Sequence, residues 1–316
     1  MTASVSVVIL SYQNSEETLE CLSSLEKQSY GDFEVLVIDN GSDPEHVQAL
    51  GAYCSQSPLD LRLIPSPTNR GTSGGRNEGV RHARGDYLAF LDSDTIVDRD
   101  WLQELVKPLL RDGSQAIGAT TSTILNYFQP DLVEYGGDSR INIFGQAKAS
   151  EAIRPLGETW AVAGASFMMP RSAIAALAEL CCPVYFILWE EMDISWRLVS
   201  LGYRLEYVST SVAYHRITTT HRTRWSPGTV ALGTRNKYLT FYRNLALAKF
   251  LLILPVLLGY DLVMGIGYLL VRRDTRFLSA RLRGLAQFVR VAGKVQHLGG
   301  GALSYLDRRL YLDKLG

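Results

Sequence analysis

Residues 87–95 read YLAFLDSDT: five residues suited to a protein interior run straight into Asp92 and Asp94, one serine apart. A carboxylate at the end of a buried strand is costly unless something neutralises it. Alternate residues of an extended chain lie about 6.5–7 Å apart on one side, so a slight turn brings the two carboxylates onto one cation. Hard oxygen ligands suit Mg²⁺ or Mn²⁺, whose shells are commonly completed by substrate phosphates. The competing reading is a pair of solvated loop acids, with Asp94 or Asp98 capping the helix of WLQELV.

Working outward, strand and helix alternate. VSVVIL (5–10) precedes a helix that Asn14 is placed to cap, with Glu17 completing a capping box. FEVLVID (33–39) is followed by Asp43 and Pro44, which open a short helix, then LRLI (61–64) and a helix over 73–84. Continuous apolar strands separated by helices predict a Rossmann-like α/β fold, its mostly parallel sheet covered on both faces. Ligands of such sheets bind beyond the carboxyl ends of the strands, where Asp39 and Asp92 both fall. NRGTSGGRNEG (69–79) sets four glycines beside Arg70, Arg76 and Asn77 at a helix start, which suits phosphate. A glycine turn with a helix cap explains the glycines alone, and the spacing matches neither the Walker A loop nor the dinucleotide fingerprint.

The chain of 316 residues is 47% hydrophobic, enough for a full core. Cys21, Cys54, Cys181 and Cys182 lack zinc-type spacing and fit reduced, buried thiols. No basic stretch followed by an apolar core opens the sequence, so a cytoplasmic location is expected. The zero net charge hides an asymmetry: residues 1–234 hold 18 basic against 28 acidic side chains, whereas 235–294 hold 11 basic residues against Asp261 and Asp274. This predicts a catalytic unit over 1–234 and a helical, membrane-associated region over 235–316. FLLILPVLLGYDLVMGIGYLLV (250–271) is long enough to cross a bilayer but is interrupted by Pro255 and Asp261. In 276–298, Leu278, Leu282, Leu285, Val289, Ala292 and Val295 form an apolar face opposite Arg276, Arg283, Arg290 and Lys294. A membrane surface is therefore an expected partner, through 250–298, and nucleic acid is not; the alternative is a soluble hairpin packed on the first domain.

VSVVILSYQN, VLVIDNGSD, NRGTSGGRNEGVRHARGDYLAFLDSD, WAVAGASFMMPRSAI and YFILWEEMDISWRLVSLGYRLEYVSTSVAYHR occur in an order that resembles the family 2 inverting nucleotide-sugar glycosyltransferases of GT-A fold, over residues 4–245. TRNKYLTFYRNLAL, running into an apolar tail, is most similar to the bacterial rhamnosyltransferase-type branch. The resemblance implies that Asp39 meets the base edge of the donor nucleotide, with Ser11 and Tyr12 lining the same pocket. It implies that Asp92 and Asp94 form the Asp-x-Asp motif, the second being the direct metal ligand, and that His215 joins the shell. The competing roles are a loop brace for Asp39 and a structural histidine at 215. The general base falls on Glu191 in WEEMD, where relatives commonly carry Glu-Asp. HRTRW (221–225) has His221 in place of the glutamine of the processive motif, which points to one or a few added sugars.

WEEMDISWRLVSLGYR itself predicts a helix from Glu190 to Leu201, with Asp193 and Arg197 as an i, i+4 pair. Glu190 and Glu191 in its first turn also suit the helix dipole. The expected activity is metal-dependent, inverting transfer from a dTDP- or UDP-type sugar to a lipid-linked or surface-glycan hydroxyl, at the cytoplasmic membrane face. The alternative is a catalytically weak nucleotide-sugar-binding scaffold subunit; a nucleotidyltransferase has no use for the base motif. Residues 125–158 are expected to shape the acceptor side.

Overall fold

The computed structural model describes residues 4–111, 116–216 and 226–299. Its first half is β1 (Val5–Ser11), α1 (Ser15–Leu25), β2 (Phe33–Asp39), α2 (Pro44–Cys54), β3 (Asp60–Pro65), α3 (Gly71–His82), β4 (Tyr87–Asp92), β5 (Thr95–Val97) and α4 (Trp101–Leu109). There follow β6 (Ile117–Asn126), β7 (Val133–Tyr135), β8 (Ser139–Ile141), β9 (Ala147–Ala149), β10 (Gly157–Thr159), β11 (Ser166–Pro170), α5 (Arg171–Ala176), α6 (Glu190–Ser200) and β12 (Arg204–His215). Three helices complete the described chain: α7 (Pro227–Asn244), α8 (Leu247–Arg272) and α9 (Arg276–Ala292).

The main sheet runs β10-β12-β6-β11-β4-β1-β2-β3. Its β4-β1-β2-β3 part is wholly parallel, as the apolar strands predict. Beyond β4 it is mixed, because β11 lies antiparallel to both β4 and β6. Successive residues of β1 enter opposite cores: Val5, Val7 and Ile9 pack with Leu22 and Leu25 of α1, and Val8 packs with Leu36, Phe90 and Phe167. Both faces being covered, the strands carry no polar alternation. Within 125–158 the chain carries three three-residue strands, β7, β8 and β9, joined by turns.

Two local expectations change. Asn14 precedes α1 but makes no side-chain cap; its Nδ2 donates to Ser93 Oγ at 2.7 Å and ties the end of β1 to the Asp92–Asp94 turn. The glycines of α3 serve packing. A Cβ at Gly75 would lie 2.1 Å from Leu10 Cδ1, and one at Gly79 2.3 Å from Val8 Cγ1, so bare backbone lets α3 lie close on β1.

The boundary expected at 234/235 falls inside α7, a continuous helix whose start is capped by Ser226 Oγ accepting from Thr229 N at 3.1 Å. A third core joins Tyr185, Met192 and Trp196 to Tyr238, Phe241, Leu257 and Phe288, so the C-terminal helices are built onto the α6 region. α8 is long and apolar enough to cross a membrane over Leu247–Val271, the one such helix among the described residues. Asp261 does not face its outer side: it is buried, with Lys237 Nζ at 2.8 Å, Tyr238 OH at 2.8 Å and Arg281 as partners. Leu252, Val263 and Leu270, at 77%, 68% and 73% exposure, make the outer face instead. In α9 the buried residues are Phe277, Ala280, Gly284 and Phe288, not the leucine stripe. A Cβ at Gly284 would lie 2.4 Å from Ala231 O, so small residues carry the close approach to α7 and leave Leu282 and Val289 exposed.

Candidate active site

β4 delivers Asp92 to the rim beside Ser11, its register partner being Leu10. The turn 93–94 leads into β5, which lies antiparallel to β12 with Thr95 opposite His215. That register brings one donor atom each of Asp92, Asp94 and His215 within 4.8 Å of one another. His215 Nε2 stands 3.3 Å from Asp94 Oδ1, and Nδ1 3.2 Å from Glu134 Oε2. Glu134, on β7, is held by Asn126 Nδ2 at 2.9 Å. Nothing in the sequence marks Glu134, an acid in an unpatterned segment whose partner lies 81 residues away. Burial alone would lower the His215 pKa, but hydrogen bonds donated by its ring to Asp94 and Glu134 carry it up to about 10. Burial raises Asp92; Arg76 opposes this and the Asp94 charge adds to it. Two carboxylates and an imidazole braced by a further carboxylate fit a hard divalent cation, with room in its shell for substrate oxygens.

Arg76 is buried, 4% exposed, and does not reach outward for phosphate. Its Nη2 lies 3.3 Å from Asp92 Oδ1 and donates to Gly164 O at 2.7 Å, while Nη1 is 3.6 Å from Glu190 Oε1. A Cβ on Gly164 would sit 3.8 Å from both Arg76 Nη2 and Glu191 Cδ, so Glu191 lies on the same side of the site, within the electrostatic reach of Arg76. One arginine thus spans the metal-competent acids and the α6 carboxylates. Burial raises the Glu190 pKa to about 8, the neighbouring Glu191 adding and Arg76 opposing. Burial raises Glu191 as well, against the lowering effect of its backbone N–H at the helix start. Asp193 pairs with Arg197 at 2.9 Å, as its spacing predicts.

Most of the remaining candidates are engaged within the chain. Asp39 is 1% exposed and accepts from the N–H groups of Gly41 and Ser42 at 3.3 Å, the loop-bracing alternative. Ser11 is buried, with Thr18 Oγ1 at 2.9 Å, whereas Tyr12 is 46% exposed at the rim. Arg70 pairs with Glu78 at 2.6 Å. Asn77 is held at both ends of its amide by Cys181. The start of α3 is closed to an anion at two amides, since Gly71 N donates to Asn69 Oδ1 at 2.8 Å and Ser73 N to Phe186 O at 3.1 Å. His221 and its motif lie outside the described residues.

The approach to Glu190 is strained. Phe186 (φ 65°, ψ −65°) is the centre of a positive-φ γ-turn, closed by Ile187 N donating to Tyr185 O at 2.8 Å. Leu188 (φ 73°) and Trp189 (φ 74°) follow in the left-handed region. Each such residue costs on the order of 1–3 kcal/mol, a strain that persists only where its surroundings hold it.

The family model described as "Glycosyl transferase family 2" matches residues 6–174, more than half of the chain. The chain belongs to glycosyl transferase family 2. It is a glycosyltransferase, with the GT-A arrangement of sheet and helices. It is 27% identical over 225 residues to the amylovoran biosynthesis glycosyltransferase AmsB of Erwinia amylovora, covering 68% of this chain and 70% of that one. Poly-beta-1,6-N-acetyl-D-glucosamine synthase of Staphylococcus aureus is 24% identical over 238 residues, 71% of this chain, which spans only 54% of the synthase. Among solved structures, mannosyltransferase PcManGT of Pyrobaculum calidifontis, in complex with GDP-Man and Mn²⁺, has a TM-score of 0.58 and 16% identity over 94% of this chain and 77% of its own. These relatives do not single out the rhamnosyltransferase-type branch.

Proposed function

We propose that this family 2 enzyme transfers a hexosyl or deoxyhexosyl unit, with inversion and with a divalent metal, from a nucleoside-diphosphate sugar of dTDP or UDP type to a hydroxyl of a lipid-linked or surface-glycan acceptor. The rhamnosyltransferase-type branch is the favoured assignment within the family. The observation that carries the reading is Arg76, a buried cation with the Asp92 side of the site at one end and the Glu190–Glu191 pair at the other. Asp92, Asp94 and His215 would hold Mg²⁺ or Mn²⁺, which as a Lewis acid neutralises the donor diphosphate when bound. The nucleotide lies against exposed Tyr12, over the loop that Asp39 shapes. The acceptor oxygen attacks the anomeric carbon from the face opposite the diphosphate. Its proton passes to the Glu191 carboxylate as the carbon–diphosphate bond breaks. Arg76 restrains Glu190 beside it, leaving the more accessible Glu191 toward the acceptor.

Catalysis belongs to the ionised base. Because burial raises Glu191, its backbone N–H and Arg76 opposing and the Asp92 charge adding, turnover is expected to rise with pH through a limb above the ordinary carboxylate range and to be lost below it. A kcat–pH profile flat down to pH ~4.5, the ordinary range, would contradict this assignment.

Residues 250–298 are proposed to attach the enzyme to the cytoplasmic membrane face. Support comes from the exposed apolar side of α8 and from the exposed Arg283 and Arg290 of α9, which suit anionic lipid. Asp261, engaged with Lys237 and Arg281, is no obstacle to shallow insertion. Binding to anionic vesicles is expected to weaken with salt and to fall strongly in the double variant Leu252→Asp/Val263→Asp. Equal binding by that variant would remove the assignment.

A further inference from the structure

The stretch TRNKYLTFYRN has no part in the mechanism above. In α7 it forms a polar stripe, with Arg235, Asn236, Thr240, Arg243 and Asn244 gathered on the side that meets the segment carrying the carboxylate pair. Asn236 is fully buried, and its Nδ2 donates to three backbone carbonyls, those of Tyr185 at 3.0 Å, Ile187 at 2.8 Å and Leu188 at 2.8 Å. Arg235 Nη2 donates to Val184 O and Tyr185 O, both at 2.7 Å. Its Nε donates to Asn236 Oδ1 at 2.8 Å, which turns the amide nitrogen to the loop. Farther along, Thr240 Oγ1 meets Tyr185 OH at 2.8 Å and Asn244 Nδ2 reaches Asp193 Oδ1 at 2.9 Å.

We propose that Asn236 is a positioning residue for the transfer: by holding the carbonyls of Tyr185, Ile187 and Leu188 it fixes the strained turn from which Glu190 and Glu191 emerge. The inference rests on the reading of Glu191 as the base. Phe186, Leu188 and Trp189 all have positive φ, so a loop freed of these bonds relaxes toward ordinary backbone. Trp189 is the residue from which α6 starts, so the relaxation rotates the first turn of that helix and the carboxylates on it. Asn236 acts through this turn and is itself engaged with backbone.

The test is Asn236→Ala in the full chain, measuring steady-state transfer and, separately, binding of UDP and of dTDP. A displaced base is expected to lower kcat by about 10- to 100-fold, with nucleotide affinity nearly unchanged. The acid limb of the kcat–pH profile is expected to move to lower pH, as water reaches Glu190 and Glu191 beside Arg76 and Asp92. A wild-type kcat and profile overturns the inference. So does loss of turnover and nucleotide binding in equal proportion with the residual activity keeping its profile, which marks a purely structural role. Should Asn236→Ala not fold, Arg235→Lys removes the fork on Val184 and Tyr185 and the hold on Asn236 Oδ1; the same shifts, smaller in size, are expected, and none overturns the inference. Glu191→Gln is assayed in parallel. If it transfers at the wild-type rate, the base reading fails and takes this inference with it. If it is slow while Asn236→Ala is unimpaired, the positioning inference alone fails.

Discussion

Glu191→Gln is expected to lower turnover by about 10²–10⁴, the usual worth of a general base, while donor affinity stays nearly unchanged. The substitution keeps size and hydrogen-bonding capacity but accepts no proton. Glu190 is more buried than Glu191 and already faces Arg76 at 3.6 Å, so Glu190→Gln is expected to act less on proton transfer and more on the placing of Arg76. Asp193 is buried among Arg197, Arg243, Tyr185 and Asn244. It cannot serve an acceptor, and Asp193→Asn should act through stability. Pre-steady-state transfer by the three variants separates them. A wild-type rate for Glu191→Gln with a slow Glu190→Gln would move the base by one residue.

Asp94→Ala carries the second large effect. Asp94 Oδ1 stands 3.3 Å from His215 Nε2, and both belong to the proposed metal set, so the substitution would remove a proposed ligand and leave His215 its contact with Glu134. Lewis-acid stabilisation of a leaving group is worth several kcal/mol, so turnover is expected to drop by roughly 10³ or more. Raising Mg²⁺ or Mn²⁺ should restore little of it. His215→Ala, which leaves both carboxylates, is expected to lose less and to recover in part at high metal. A fully active Asp94→Ala enzyme would remove the metal assignment.

The parallel half of the fold was legible because β1, β2 and β4 are buried on both faces and therefore largely apolar, buried Ser6 and Glu34 being exceptions. Asp92, Asp94 and His215 could be paired only through the family resemblance, since the β5–β12 register that joins them spans more than a hundred residues of chain. Arg76 misled, and for a physical reason: arginine beside glycines suits a phosphate, but here the glycines let α3 approach Leu10 and Val8 while the guanidinium turns inward. In α9 the apolar stripe read as a membrane-facing surface leaves Leu282 and Val289 exposed, while the contact with α7, which the sequence did not mark, falls to small residues, Ala280 and Gly284. Asp261 looked like an interruption of an apolar helix because Lys237 and Arg281, its partners, lie 24 and 20 residues away. Glu134 and the Asn236 clamp were invisible for the same reason, being defined by contacts that no local pattern encodes.

Metal-dependent departure of a nucleoside diphosphate from a nucleotide sugar is the central step of the proposed transfer. The most direct measurement is nucleoside diphosphate release by the intact protein across UDP-, dTDP- and GDP-sugars, in chelator and after return of Mg²⁺ or Mn²⁺. At least one donor is expected to be turned over, with release collapsing in chelator and recovering with metal. Undiminished release in excess chelator would contradict the site as described, and binding of donors without release under any condition would mark the protein as a scaffold instead.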